Sequence, residues 1–264
     1  MIRPKKSLGQ NFLIDNNILN KIVKFDEINN NNVVEIGPGT GNLTKKIIEQ
    51  EPKNLILIEK DQILANNLKI KFNKNTNCKI FNEDILKFDL ENYIKKNSII
   101  IGNLPYNISS QILIKLIKFK KWLPKYKKLI LMFQKEVADK ILGKCNTSHY
   151  GRLAIITAAR LKITNRFNVS PNSFYPVPKV KSTVLVFEPI VNKSFNVKSI
   201  TNLEKISHVF FSRKRKMINK SFKKLFSNPL KIAEKININL NLRPNELSEN
   251  EYFRIAEFYE KKFK

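Results

Sequence analysis

Asn103-Leu104-Pro105-Tyr106 follows the apolar run Ser98-Ile99-Ile100-Ile101-Gly102. The run reads as a buried strand of β-branched residues halted by glycine. An Asn delivered to the end of such a strand must find partners for its amide or face a ligand. Pro105 stiffens the turn behind it. A Tyr three residues past the Asn is an unusual choice for punctuation alone. Taken singly, each residue reads as part of a capped strand end; the group of three points to a site.

A second constellation lies upstream. Glu35-Ile36-Gly37-Pro38-Gly39-Thr40-Gly41 follows one strand-like run and precedes a helical one. Glycines there let the backbone turn tightly and approach a ligand closely. Glu59 ends the next apolar run, 20 residues after Gly39, where an acidic side chain can accept from ribose hydroxyls. Asp84, in Asn82-Glu83-Asp84-Ile85, adds an acceptor able to take a hydrogen bond from an adenine amino group. The glycines fall as G-x-G-x-G, not as the dinucleotide pattern G-x-G-x-x-G, and Pro38 removes a backbone donor that a pyrophosphate could use. A row of acceptors with few cations suits a nucleoside-bearing cofactor that carries a positive sulfonium and no phosphates.

The elements that must position these residues alternate along the chain. Strand-like runs cover Val33 to Ile36, Leu55 to Glu59, Cys78 to Phe81, Ile99 to Ile101 and Leu129 to Phe133. Helical periodicity runs from Asn42 to Glu49, from Asp61 with Ile63, Leu64 and Leu68, and through Ile112, Leu113, Leu116 and Ile117. Asp15 can cap a helix through Ile18, Leu19, Ile22 and Val23. Leu161 to Val169 and Ser182 to Glu188 read as a closing pair of strands. Alternation of this kind predicts an α/β fold with a parallel sheet covered on both faces, whose ligands bind beyond the carboxyl ends of the strands. After Pro189 the pattern becomes helical, with Ile206, Phe210, Met217 and Phe222, then Ile232 and Ile236, then Phe253, Ile255, Ala256 and Tyr259. We expect a first domain over residues 1–190 and a helical one over 191–264.

Composition bounds the function. The 264 residues carry a net charge of +27 and a pI near 10.0, which points to a nucleic-acid partner. Lys, Asn and Ile share A/T-rich codons, so codon bias is the competing reading of that charge. Two cysteines without metal-type spacing and two histidines argue against a zinc site. No stretch is long and apolar enough to span a membrane and no signal peptide is read, so a cytoplasmic protein is expected.

E-x-G-x-G-x-G, Glu59, Asp84 and N-L-P-Y together resemble the S-adenosylmethionine-dependent methyltransferases that modify amino nitrogens. Ser7-Leu8-Gly9-Gln10-Asn11-Phe12-Leu13, Phe174-Tyr175-Pro176-Val177-Pro178-Lys179-Val180 and Arg243-Pro244-Asn245-Glu246-Leu247-Ser248 narrow the match to the small-subunit ribosomal RNA adenine N6,N6-dimethyltransferase (KsgA) family, over nearly the whole chain. The resemblance implies a Rossmann-like methyltransferase domain, a smaller helical rRNA-binding domain, S-adenosylmethionine as cofactor, and small-subunit rRNA within a pre-ribosomal particle as partner, met by a monomer without metal. Asn11 and Leu13 would close over the cofactor. Gly37 and Gly39 would lie under it, Glu59 would hold its ribose, Asp84 its adenine, and Asn103 would sit between it and the target base. Two departures are visible: Lys181 stands where the family often has an acidic residue, and the family's basic R-R-K run appears as Lys214-Arg215-Lys216.

The implied chemistry is methyl transfer to two adjacent adenines near the 3′ end of small-subunit rRNA. The lone pair of an adenine amino nitrogen is delocalised into the ring. The Asn103 side-chain carbonyl and the Leu104 backbone carbonyl would each accept one N6–H and favour a pyramidal nitrogen, with its lone pair directed at the sulfonium methyl. Positioning and preorganised electrostatics then carry the reaction without a tuned general base. Tyr106 would stack on the flipped base, and Phe174 would cover its other side, unless Phe174 packs in the core. Lys214, Arg215 and Lys216 would interrupt an apolar helix and contact the RNA backbone; a solvated face is the competing reading. A large-subunit rRNA methyltransferase of the macrolide-resistance type and a non-catalytic RNA-binding assembly factor on the same fold are the alternatives.

Overall fold

The structure, a computed structural model, describes residues 4–5, 9–191, 195 and 197–262. Among them the sheet strands are β2 (Asn32–Ile36), β3 (Asn54–Ile58), β4 (Cys78–Phe81), β5 (Ser98–Asn103), β6 (Tyr126–Gln134), β7 (Leu161–Val169) and β9 (Ser182–Pro189), in the spatial order β4-β3-β2-β5-β6-β9-β7. A separate antiparallel ribbon pairs β1 (Phe12–Leu13) with β8 (Phe174–Tyr175). The helices along the same stretch are α1 (Asn16–Val23), α2 (Asn42–Ile48), α3 (Gln62–Lys71), α4 (Leu90–Tyr93) and α5 (Ser109–Ile117), and α6 (Lys135–Ile141) follows β6.

The central strands are runs of Val, Ile and Leu because both of their faces are buried. Strands β4, β3, β2, β5 and β6 are parallel. The chain winds outward from β2 through β3 to β4, then returns to β5 on the other side of β2. That reversal opens a crevice at the carboxyl ends of β2 and β5. The register sets what meets there: Ile36 pairs with Ile58, and Glu35 with Ile101, so Gly37, Glu59 and Asn103 arrive at one edge.

A wholly parallel sheet is not what forms. Strand β9 runs antiparallel to β6, from Leu129 opposite Phe187 to Gln134 opposite Ser182. Residues 170–181 hold a 3₁₀ turn at Pro171–Ser173 and no crossover helix, so the chain doubles back and does not re-enter in the parallel sense.

The chain divides into two compact units, Met1–Ala138 with Ile163–Pro189, and Asp139–Lys162 with Ile190–Lys264. The chain passes between the units three times, after Ala138, Lys162 and Pro189, where the sequence suggested a single boundary near 190. In the second unit α8 (Ile200–Phe211) buries Leu203, Ile206 and Phe210 and packs against α7 (Arg152–Ala158) and α11 (Glu249–Lys262). An amphipathic helix such as α8 needs apolar partners, and α7 supplies some, which draws residues 139–162 out of the first unit. The R-P-N-E-L-S motif is structural there: Leu247 is buried, and Tyr252 donates to the Pro244 carbonyl at 2.8 Å. Helices α9 (Asn219–Leu225) and α10 (Pro229–Lys235) complete the unit.

Lys214, Arg215 and Lys216 do not interrupt a helix. They lie in successive turns between α8 and α9, with Arg213 N–H on the Phe210 carbonyl at 3.1 Å and Lys216 N–H on the Arg213 carbonyl at 2.9 Å. A turn frees all three from the helical spacing that would have aimed one at the core, and all are exposed. Lys214 Nζ donates to the Ser148 carbonyl at 3.0 Å.

Candidate active site

The glycine loop leaves β2 with its first amide bonded to β3: Gly37 N–H donates to the Ile58 carbonyl at 3.0 Å. Gly37 and Gly39 have φ of +69° and +60°, the left-handed region that costs side-chain-bearing residues most. A Cβ on Gly39 would also stand 2.9 Å from the Phe12 ring. Both positions therefore require glycine, and the bare loop leaves space above it.

Glu59 braces this loop. Its Oε2 accepts from Gly39 N–H at 3.0 Å and its Oε1 from Asp61 N–H at 2.9 Å. Burial raises the Glu59 carboxyl above its ordinary value, opposed by those two N–H groups, which favour the ionised form. Each oxygen keeps a lone pair for a further donor. Asp84 sits at the rim. Its Oδ1 accepts from Leu86 N–H at 2.9 Å, and the Lys60 ammonium, 2.8 Å from Oδ2, holds its carboxyl below the ordinary value.

Asn103 ends β5 with its amide donating to the Asn11 backbone carbonyl at 2.8 Å. A carbonyl can only accept, so the NH₂ must face Asn11, and Oδ1 is the end left to accept. The N-terminal segment is held by other bonds as well. Asn42 Nδ2 donates to the Leu13 carbonyl at 2.8 Å, Lys5 Nζ lies 2.8 Å from Asp61 Oδ2, and Gln10 Nε2 reaches the same oxygen at 3.4 Å. Asp61 meanwhile caps α3 by accepting from Ile63 and Leu64 N–H. Ser7 and Leu8 of the N-terminal motif lie outside the described residues.

One pocket collects these groups. Asn11, Leu13, Gly37 and Gly39 line it together with Glu59, Asp84, Asn103, Leu104 and Tyr106. Tyr106 is half-buried, its hydroxyl 2.7 Å from Ser182 Oγ. Phe174 is not in the pocket. It is 1% exposed and packs in the apolar core that contains Leu13, Leu19 and Ile22. Strand alternation turns its neighbour Tyr175 outward instead. Asn42, Gln10, Lys60 and Asp61 were not singled out from sequence as site residues, because their partners lie far along the chain and no local spacing marks them.

Glu35, beneath the loop, is a buried carboxyl whose Oε2 accepts from Thr44 Oγ1 at 2.6 Å; burial pushes it up to about 8. The folded chain then holds a proton that the unfolded chain releases at lower pH, so stability falls as pH rises from about 5 toward 8. Glu35→Gln keeps an acceptor for Thr44 and removes that titration. Between pH 5 and 8 the wild type should lose on the order of 2–4 kcal/mol more than the variant. Denaturant titrations at the two pH values test this; parallel losses would refute it.

Among the described residues no group of three or more His, Cys, Asp or Glu could hold a metal ion, and no helix is long and apolar enough to cross a membrane. The acceptor set fits S-adenosylmethionine: carboxylates at Glu59 and Asp84 for hydroxyl and amino donors, a glycine cradle, and no cation cluster for phosphates. Fold and site define a Rossmann-like, S-adenosylmethionine-dependent methyltransferase. The chain matches the ribosomal RNA adenine dimethylase family over residues 1–261 and belongs to it. It is therefore an S-adenosylmethionine-dependent enzyme that dimethylates rRNA adenines. A Ribosomal RNA small subunit methyltransferase A from Pelagibacter ubique (strain HTCC1062) is 47% identical, covering 98% of each chain. The protein of that name from Wolbachia sp. subsp. Drosophila simulans (strain wRi) is 35% identical, over 97% of this chain and 93% of its own. Among solved structures, a dimethyladenosine transferase from Plasmodium falciparum superposes with a TM-score of 0.79 at 28% identity, covering 96% of this chain and 98% of its own. The 23S rRNA methyltransferase ErmE shares the fold, with a TM-score of 0.68 at 21% identity, over 95% of this chain and 100% of its own.

Proposed function

We propose that this enzyme methylates N6 of two adjacent adenines in the 3′-terminal hairpin of small-subunit (16S) rRNA, acting as a cytoplasmic monomer on a pre-ribosomal small subunit. The observation that carries the catalytic reading is the Asn103 amide, oriented by the Asn11 carbonyl so that Oδ1 is left to accept from the substrate. The Asn103 and Leu104 carbonyls hold the two N6–H bonds and draw the nitrogen out of conjugation. S-adenosylmethionine supplies the methyl group as an electrophile. Pro105 fixes the angle between the acceptors, and Tyr106, tethered through its hydroxyl to Ser182, offers its ring to the flipped base. The product cation sheds its proton readily, which suits a site lined by neither His nor Cys.

The names of the relatives at 47% and 35% identity support the small subunit over the large one, and an intact N-L-P-Y supports catalysis over a bare assembly role. Tritiated methyl transfer to purified, unmodified small and large subunits tests both points. Label in dimethyladenine of the small-subunit rRNA is expected. Label confined to large subunits, or none, would overturn the assignment.

The exposed turn with Lys214, Arg215 and Lys216 supports an RNA backbone contact by the second unit. Replacing all three with Gln should lower the magnitude of the slope of log K against log salt by roughly 2–3, at about 0.7–0.9 per phosphate. Cofactor affinity, set by residues of the first unit, should stay the same. Titration of small subunits at several salt concentrations decides it, and an unchanged slope would place the footprint elsewhere.

A further inference from the structure

Tyr175 is 54% exposed on the side of β8 opposite Phe174, followed by Val177 at 59% and Val180 at 42%. Lys179 and Lys181 are also exposed, residues 175–181 contain no Asp or Glu, and among the described residues neither lysine is in an ion pair. Both ends of this segment are anchored at the active site. Tyr175 pairs in the β1–β8 ribbon with Phe12, which lines the cofactor pocket and packs on Gly39. At the other end Ser182 Oγ meets the Tyr106 hydroxyl at 2.7 Å, and the Lys181 carbonyl accepts from Lys135 N–H at 2.9 Å. An aromatic ring, two valines and two lysines are thus displayed between the wall of the cofactor pocket and the acceptor turn.

We infer that residues 175–181 are the platform for the nucleotide next to the target adenine, with Tyr175 stacked on its base and Lys179 and Lys181 against its phosphates. The inference rests on the rRNA-adenine reading of the pocket. Extruding one adenine into the pocket leaves its neighbour with an uncovered face. An exposed tyrosine restores that stacking without reading the base, because every base has a π-face. With two adjacent targets, the base held on Tyr175 is the one awaiting its turn in the pocket. Lys181, where the resemblance leads one to expect an acid, adds a cation to this surface.

The test uses the full chain and the small-subunit 3′-terminal hairpin with 2-aminopurine beside one target adenine. Wild type should quench the fluorophore. Tyr175→Phe should quench it too, while Tyr175→Ala should not and should bind the hairpin roughly 5- to 150-fold more weakly, the range that base stacking on an aromatic ring carries. Lys181→Gln should lower the magnitude of the salt slope by about 0.7–0.9. S-adenosylmethionine affinity and thermal midpoint serve as fold controls and should not move. Quenching and affinity unchanged in Tyr175→Ala would overturn the platform, as would equal losses in Tyr175→Phe and Tyr175→Ala. Fluorescence reports the platform without methyl transfer, so its failure differs from failure of the proposed function, which would appear as wild type leaving small subunits unlabelled.

Discussion

Asn103→Ala should slow single-turnover methyl transfer by roughly 10²–10³, the loss that follows removal of one preorganised transition-state hydrogen bond. In the proposed mechanism the side-chain carbonyl is one of two acceptors for the amino hydrogens, and with the Leu104 carbonyl alone the nitrogen stays nearer planar and its lone pair conjugated with the ring. The amide also donates to the Asn11 carbonyl at 2.8 Å, so the variant loosens the N-terminal segment as well. Asn103→Asp separates the two effects. It keeps a side-chain acceptor but sets a carboxylate oxygen against the Asn11 carbonyl, so cofactor affinity should fall more than in the alanine variant. RNA affinity should change little in either. A near wild-type single-turnover rate in folded Asn103→Ala would rule out the acceptor role.

Glu59→Ala should weaken S-adenosylmethionine binding by roughly 1.5–3 kcal/mol, the range for hydrogen bonds to a charged group. The carboxylate both faces the pocket and braces its floor through Gly39 and Asp61 N–H. Alanine removes the proposed ribose acceptor and leaves two amides, of the loop and the helix start, without their partner. The loss should therefore lie toward the upper end of that range. Binding of RNA without cofactor should persist, because no proposed RNA contact touches Glu59. Calorimetry on a folded variant is the measurement; unchanged cofactor affinity would refute the assignment.

Most of the frame is legible in the residues alone. Apolar runs marked β2, β3 and β5, the first and last stopped by glycine and the middle one by Glu59, and their ends delivered Gly37, Glu59 and Asn103, because a parallel sheet orders its strand ends by local pattern. Leu161–Val169 and Cys78–Phe81 match the observed strands residue for residue. Other features depended on partners distant in sequence. The two-residue ribbon of β1 and β8 carries no period, since each strand exists only by pairing with the other. The reversal of β9, the passage of residues 139–162 into the second unit and the burial of Phe174 were each decided by packing. The basic turn after α8 escaped a reading based on helical spacing, because a helix end is set by caps and neighbours as much as by periodicity. Residue types and their order determined the chemistry this protein can perform. Tertiary structure decided which end of the Asn103 amide turns to the Asn11 carbonyl and which of two adjacent aromatics, Phe174 or Tyr175, meets solvent, because both depend on partners that only the folded chain brings within reach.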